Sequence, residues 1–132
     1  MKRAIIMRGI PGSGKSTVAK LLAGEIGVIH STDNYFYVNG KYVHDSSFLS
    51  QNHEKNFKAF CESLKRGVPI VVCDNTNVQR AHFTRYMSVA EAAGYQVDIV
   101  AMPHPDPEVA AARNKHGVSL ETVRQMIADW EE

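Results

Sequence analysis

A glycine-rich segment near the amino terminus carries the residues whose chemistry is easiest to assign. Residues 9–16 have the sequence GIPGSGKS and match the pattern G-x-x-x-x-G-K-[ST] in full. Glycines let the backbone point its N–H groups at phosphate oxygens, Lys15 adds positive charge, and the Ser16 hydroxyl suits Mg²⁺. The segment predicts a nucleoside triphosphate site with ATP and Mg²⁺ as cofactors, the alternative being a structural turn. The predicted nucleotide contacts are Gly9, Pro11, Gly12, Ser13, Gly14, Lys15, Ser16 and Thr17.

Two aspartates follow predicted strands. Asp33 lies in the sequence STDNYF, where its carboxylate would accept the proton of a hydroxyl beside a transferring phosphoryl group. Aspartate is also common as a helix N-cap or in a turn, so capping stays open for Asp33. Asp74 begins the polar run DNTN after an apolar stretch, the form of a site that acts on Mg²⁺ directly or through water. An Asx turn is the alternative, and we favour a site because four small polar residues share one strand end.

A basic loop with the sequence RNKHG occupies residues 113–117. Placed over bound phosphates, Arg113 would supply positive charge to the transition state as part of a mobile lid. Basic residues followed by glycine also end helices in general, because they complement the helix dipole. The spacing alone does not separate these two interpretations.

Apolar runs and helical segments alternate along the chain and would position these residues. The predicted strands are residues 4–7, 28–30, 68–73 and 95–101; the predicted helices are 15–25, a long one from Ser46 or Ser47 to about 66, 80–93, 108–113 and 119–130. The first helix would present Val18, Leu21 and Leu22 on one face. This order predicts an α/β fold with a parallel sheet of about four strands. Ligands of such sheets bind at the carboxyl ends of the strands, where the polar residues above lie.

Residues 34–45 are predicted to be an irregular flap around the turn Asn39-Gly40. The flap holds several aromatic side chains, namely Tyr35, Phe36, Tyr37 and Tyr42. Exposed aromatic rings near a nucleotide site stack on bases, whereas the rings of a hairpin pack on the domain beneath it. We expect Tyr35 to face the substrate.

Composition limits the possible functions. The chain has 132 residues, 15 Lys and Arg against 14 Asp and Glu, a net charge of +1 and 44% hydrophobic residues. Those values predict a single folded domain and exclude a disordered chain or a polybasic nucleic-acid coat. No apolar run approaches the length of a membrane span. Cys61 and Cys73 lack metal-ligand spacing, so we expect two buried free thiols and a cytoplasmic setting.

The chain resembles the kinase domain of bacteriophage-type 5′-polynucleotide kinase and a group of short P-loop proteins related to it. The likeness covers nearly the whole chain and rests on GIPGSGKST at 9–17, STDNYF at 31–36, IVVCDNTN at 70–77 and RNKHG with a short helix at 113–130. It implies a P-loop NTPase fold in three α/β/α layers, with the lid at about 113–118. It also implies a catalytic set of Asp33 as general base, Lys15 and Arg113, with Ser16 as an Mg²⁺ ligand, while Asp74 is an Mg²⁺ residue from its position at the strand end alone. The substrate residues it implies are Thr76, Asn77 and, on the long helix beside Asn56, His53.

Three positions depart from that family. Phe36 stands where the kinases carry an arginine that contacts the nucleic-acid phosphate, His116 stands where a second lid arginine is expected, and Asn34 replaces a second acidic residue. On the strength of the resemblance we expect an ATP- or GTP-dependent kinase that phosphorylates a polynucleotide 5′-hydroxyl of DNA or RNA, and the missing arginine keeps other acceptors open. The alternative acceptors are a hydroxymethylated DNA base and a small-molecule or nucleotide hydroxyl. A nucleotide-dependent binding or switch module without phosphotransfer is the alternative from another class. Neither a protein partner nor a membrane is implied.

Overall fold

The computed structural model describes residues 1–132 and contains six strands and five α-helices. The strands are β1 (Arg3–Arg8), β2 (Gly27–His30), β3 (Tyr37–Val38), β4 (Lys41–Tyr42), β5 (Ile70–Asp74) and β6 (Gln96–Ala101). The helices are α1 (Lys15–Ala23), α2 (Leu49–Lys65), α3 (Thr84–Ala92), α4 (Pro107–Arg113) and α5 (Leu120–Ala128). Short 3₁₀ helices cover Thr32–Phe36, Ser46–Phe48 and Arg80–His82. No helix combines the length and the apolar character that crossing a bilayer requires.

Four strands form one parallel sheet in the order β2-β5-β1-β6, which confirms the predicted α/β fold. Strand β1 is paired with a neighbour on both sides, β5 and β6. Five of its six residues are buried, as expected for an apolar strand inside a parallel sheet. Its register with β5 places Met7 opposite Asp74. The phosphate loop that follows β1 therefore emerges beside the carboxyl end of β5. Strands β3 and β4 pair with each other as a separate hairpin.

Alternate side chains of β1 face two different helical layers. Ala4 and Ile6 pack in a cluster with residues of α2 and α3, whereas Ile5 and Met7 pack with α1. The predicted three-layer α/β/α arrangement is thus confirmed. A third, smaller cluster joins Ile10 of the phosphate loop to α4 and α5, with Trp130 packed against it.

The buried face of α1 differs from the prediction. Ala19 and Ala23 are buried, whereas Leu21 is 78% exposed and Leu22 is 38% exposed. Small residues let this helix approach the sheet closely: a Cβ placed at Gly27 would lie 2.6 Å from the Ala23 carbonyl oxygen. The helix also ends at Ala23 rather than at residue 25.

The long helix α2 begins later than predicted. Neither Ser46 nor Ser47 caps it; instead the Asp45 carboxylate accepts from the Ser47 amide and starts a 3₁₀ turn that leads into Leu49. The helix ends as predicted, with Gly67 at φ 71 directly after the last turn. Of the two thiols, Cys73 is buried but Cys61 is only half-buried.

Candidate active site

A cleft of about 450 Å³ opens at the carboxyl ends of the strands. Its walls come from the phosphate loop, the 3₁₀ turn after β2, the flap, the start of α2, the end of β5 and the lid. Among the residues that the sequence singled out, the cleft is lined by Pro11, Gly12, Gly14, Lys15, Ser16, Thr17, Asp33, His53, Thr76 and Arg113. Segments distant in the sequence thus meet at the sheet edge that α/β folds use for ligands.

The phosphate loop has the backbone shape that its glycines permit. Gly12 and Gly14 adopt φ angles of 82° and 85°, in the left-handed region that L-residues with side chains avoid. Gly14 is also the N-cap of α1, so the positive end of that helix dipole points into the cleft. The loop therefore fits a phosphate chain.

Lys15 and Ser16, which line the cleft, form one hydrogen-bonded group with Asp74, which is buried and does not itself line the cleft. Nζ of Lys15 lies 2.6 Å from Oδ1 of Asp74, and the Ser16 hydroxyl donates to Oδ2 of Asp74 at 2.9 Å. The Lys15 and Asp74 side chains are only 11% and 5% exposed, so water screens this ion pair little.

The same group fits a magnesium ion. The chain contains no cluster of three or more His, Cys, Asp or Glu side chains that could hold a metal alone. Mg²⁺ usually takes only one or two protein oxygens and completes its octahedron with phosphate oxygens and water. The hydroxyl of Ser16 and the carboxylate of Asp74 are oxygen donors of that kind, placed beside the phosphate loop.

Asp33 is half-buried and contacts both the flap and the lid. The Tyr42 hydroxyl donates to Oδ1 of Asp33 at 3.4 Å, and Nδ1 of His116 lies 3.3 Å from Oδ2. The Tyr42 and His116 rings stack at a centroid distance of 4.1 Å. Burial and the neighbouring Asp33 carboxylate raise the pKa of Tyr42 to about 12, so the phenol keeps its proton in neutral solution.

Two side chains fix the backbone next to Asp33. Oδ1 of Asn75 accepts from the Thr32 amide at 2.9 Å, and the Thr32 hydroxyl lies 3.1 Å from Nδ1 of His53. Burial and the nearby Arg85 guanidinium lower the pKa of His53, so its imidazole is neutral at physiological pH. The 3₁₀ turn that carries Asp33 is therefore attached to β5 and α2.

The lid is shaped by Asn114. Its amide nitrogen donates to the carbonyls of Ala111 and Val118, while its amide oxygen accepts from the Val118 amide at 2.8 Å. These bonds close the loop after α4. Arg113 is the last residue of α4, is exposed to solvent and forms no ion pair with a carboxylate. Its guanidinium is free to contact an anion in the cleft.

Several predicted site residues do not line the cleft. Asn77 is buried, and its amide donates to the Met7 carbonyl at 2.7 Å, so it holds the end of β5 against β1. Tyr35 lies outside the cleft, and its carbonyl accepts from Asn52 of α2. Gly9 and Ser13 belong to the loop but lie behind its inner surface, where a Cβ at Gly9 would lie 2.6 Å from the Ser13 hydroxyl oxygen.

Sequence reasoning missed the roles of Asn75, Tyr42 and His116 around Asp33. Their contacts join segments that are far apart in the sequence, so no local pattern indicates them. Arg8 was missed as well. Its guanidinium is buried between the Phe83 and Trp130 rings and donates to the carbonyl oxygens of Asn77 and Val78.

The fold is shared with solved structures of low sequence identity. The Pnkp1/Rnl/Hen1 RNA repair complex contains a chain that matches 97% of this chain with a TM-score of 0.73 and 13% identity. The match covers 43% of that other chain. This likeness shows that the two chains share the three-layer α/β/α fold that the sequence predicts.

Two human proteins contain segments similar in sequence to this chain. NEDD4-binding protein 2 (Homo sapiens) is 36% identical over 135 residues, which is 96% of this chain and 8% of that protein. YLP motif-containing protein 1 (Homo sapiens) is 29% identical over 153 residues, which is 96% of this chain and 7% of that protein. The chain therefore spans less than a tenth of each of these relatives.

A family model described as an AAA domain matches residues 5–131. The match begins inside β1, includes the phosphate loop, Asp33 and Asp74, and ends after α5. The chain therefore belongs to this AAA-domain family of P-loop proteins.

Proposed function

We propose that the chain is an ATP-dependent kinase that transfers the γ-phosphate to a hydroxyl of a nucleic acid, in the first place a polynucleotide 5′-hydroxyl. One observation carries the proposal: residues of the phosphate loop, Asp33 and Arg113 all line a single cleft. A donor phosphate, an acceptor hydroxyl and a base would all reach each other there.

In this proposal each wall of the cleft has its own task. The loop amides and Lys15 hold the β- and γ-phosphates, for which Lys15 must leave its partner Asp74. Ser16 and Asp74 would hold Mg²⁺, which neutralises phosphate charge when bound. Arg113 covers the departing phosphates as the lid closes.

Asp33 is the general base of the proposed reaction. Its carboxylate takes the proton from the acceptor hydroxyl as the acceptor oxygen forms a bond to the γ-phosphorus. The bond from that phosphorus to the β–γ bridging oxygen breaks, and ADP leaves with the electron pair. The hydroxyl of Tyr42 and the imidazole of His116 occupy the carboxylate now, so the acceptor must displace at least one of them.

The comparisons support a kinase more directly than they support a nucleic-acid acceptor. The similar fold in an RNA repair complex makes an RNA or DNA end the first acceptor to test. A hydroxymethylated base or a small hydroxyl compound stays the alternative acceptor. Phe36 favours that alternative, because it is 3% exposed and packs under His44 instead of offering a charge to a phosphate.

A transfer screen with labelled ATP tests the proposal. Acceptors would be 5′-hydroxyl oligonucleotides of DNA and RNA, hydroxymethyl-base DNA, nucleosides and small alcohols. We expect label on at least one nucleic-acid acceptor, and we expect Asp33→Asn to abolish transfer while ATP binding is kept. Label on none of them, together with slow ATP hydrolysis that Asp33→Asn leaves unchanged, would instead show a nucleotide-dependent switch.

A further inference from the structure

The lysine and arginine side chains of the cleft come from different segments than most of its aromatic rings. The cationic side chains that line it are Lys15 in the phosphate loop and Arg113 and Lys115 in the lid. The cleft residues that come from the 3₁₀ turn after β2, the flap and the start of α2, here called the acceptor wall, are Thr32, Asp33, Tyr42, His44, Leu49 and His53. The acceptor wall thus contains one carboxylate and no lysine or arginine.

The basic residues nearest to the acceptor wall in sequence do not reach it. Lys41 of the flap and Lys55 of α2 are exposed to solvent outside the cleft. Arg85 lies behind His53, where its guanidinium pairs with Glu54 at 2.7 Å and stacks on the Phe57 ring at 4.2 Å. A phosphate on the acceptor wall would meet the Asp33 carboxylate and no lysine or arginine of that wall, which costs binding free energy.

Flat rings take the place of cations on the acceptor wall. His44 stacks on the buried Phe36 ring at 4.8 Å with an interplanar angle of 25°, and the Tyr42 ring is 6.5 Å from His44. Tyr42 in turn stacks on His116. A planar, uncharged group gains stacking energy against such rings whatever its hydrogen-bonding pattern, and nucleobases are bound this way in single-stranded nucleic acids.

We infer that the acceptor is recognised through an uncharged planar ring beside its hydroxyl, a nucleobase, and that the phosphate on its 3′ side contributes nothing. This inference rests on the proposed kinase activity and specifies its acceptor. The base binds against Tyr42 and His44, in the space that His116 leaves when the lid opens. The sugar hydroxyl is then beside Asp33.

Three acceptors at saturating ATP test the inference: thymidine, thymidine 3′-monophosphate and the abasic sugar 1,2-dideoxyribose. We expect kcat/KM to agree within about threefold for the first two and to fall roughly tenfold or more for the abasic sugar, because stacking on the base is lost. Raising salt from about 50 to about 200 mM should change the thymidine 3′-monophosphate value less than about threefold, since no acceptor phosphate is bound.

Two variants of Tyr42 distinguish the contribution of its aromatic ring from that of its hydroxyl. Tyr42→Leu should lower the ratio of kcat/KM for thymidine to kcat/KM for the abasic sugar roughly tenfold, whereas Tyr42→Phe keeps the ring and should keep that ratio. Lys41→Ala is the matched control, from the neighbouring position outside the cleft, and should change nothing. A preference of tenfold or more for the 3′-phosphate, lost at high salt or in Lys41→Ala, would overturn the inference.

If the chain is not a kinase, none of the three acceptors will be labelled, which distinguishes that result from a failure of the inference about the base. Titration calorimetry with thymidine and thymidine 3′-monophosphate in the presence of ADP covers that case. Thymidine binding that Tyr42→Leu abolishes would support the inference about the ring without any turnover. Binding of the 3′-monophosphate alone would overturn it.

Discussion

Nδ1 of His116 lies 3.3 Å from Oδ2 of Asp33, so a lid residue touches the carboxylate that we propose as general base. The same imidazole stacks on Tyr42 of the flap, whose hydroxyl reaches the other oxygen of Asp33. The lid and the flap thus meet over one carboxylate, and displacing the lid uncovers it to the acceptor or to water.

Replacing His116 should change the balance between transfer and hydrolysis. In His116→Ala the lid loses its contact with the Asp33 carboxylate and its ring stack on Tyr42 and holds the cleft closed less well, so we expect kcat/KM for transfer to fall roughly tenfold. Water gains access to Asp33, so the ratio of acceptor-independent ATP hydrolysis to transfer should rise. Arg124→Ala, on the exposed side of α5, is the control for a charge change nearby and should match the wild type. An unchanged ratio in His116→Ala would contradict this role.

Asn75 is expected to act as a positioning residue for Asp33 through the Thr32 amide. Asn75→Ala should lower kcat for transfer roughly tenfold and leave the KM for ATP unchanged, because a displaced base is misaligned in the transition state. Asn75→Asp keeps an oxygen acceptor for the amide and should recover part of the rate. A purely structural role predicts instead that both variants lower the melting temperature and that neither selectively affects kcat.

We predict that the buried ion pair between Lys15 and Asp74 stabilises the fold, and the free energy of unfolding tests this without any measurement of turnover. Lys15→Met leaves the Asp74 carboxylate buried with only Ser16 as a partner and should cost about 3 kcal/mol of unfolding free energy. Lys15→Met/Asp74→Asn removes both charges and should recover most of that loss, although it will not bind ATP normally. Urea unfolding of the two single variants and the double variant gives the coupling. Additive effects would mean that the ion pair does not stabilise the fold.

His30 should make the fold less stable in mildly acidic solution. Burial, and then the charge of Arg66, lower the pKa of this imidazole below its usual 6.5. The unfolded chain therefore binds more protons than the folded chain below about pH 6.5, and the unfolding free energy falls as pH decreases. His53 shifts in the same direction.

Urea unfolding at about pH 7.5 and about pH 5.5 measures this dependence. We expect a smaller difference between the two pH values in His30→Gln than in the wild type, and an unchanged difference in His104→Gln, whose side chain is exposed. The ring of His30 also forms a hydrogen bond with the Ser63 hydroxyl at 2.8 Å, so His30→Gln can change the unfolding free energy at both pH values. The test is therefore the difference in unfolding free energy between the two pH values. Equal slopes in all three proteins would exclude His30 as the source.

Local signals in the sequence were sufficient for the sheet and for the loops that tighten around glycine. The alternation of apolar strands and helices predicted the parallel sheet, and Asn39-Gly40 does form the flap turn, with φ angles of 50° and 80°. The phosphate loop was recognisable because its chemistry is confined to eight consecutive positions, residues 9–16. Each of these features depends on neighbours in the chain.

Features that depend on distant neighbours were not predictable. The leucines of α1 are larger than its alanines, yet Ala19 and Ala23 are buried because the sheet lies too close for Leu21. Asn77 belongs to a polar run that suggested substrate contacts, but it adopts a φ of 49° and bonds Met7 inside the fold. The contact between Asp33 and His116 required knowledge of where the lid folds back.

Arg8 helps to hold one end of the lid segment in place. Its guanidinium also donates to the Glu131 carbonyl at 2.5 Å, and the Glu131 amide donates to Val78, so the segment after α5 is attached to the sheet. At the other end, a side chain at Gly12 would collide with the Ala110 carbonyl, which shows how tightly α4 is seated on the phosphate loop. Because both helices are held by these contacts, we expect any movement of the proposed lid to be confined to residues 114–119 between them.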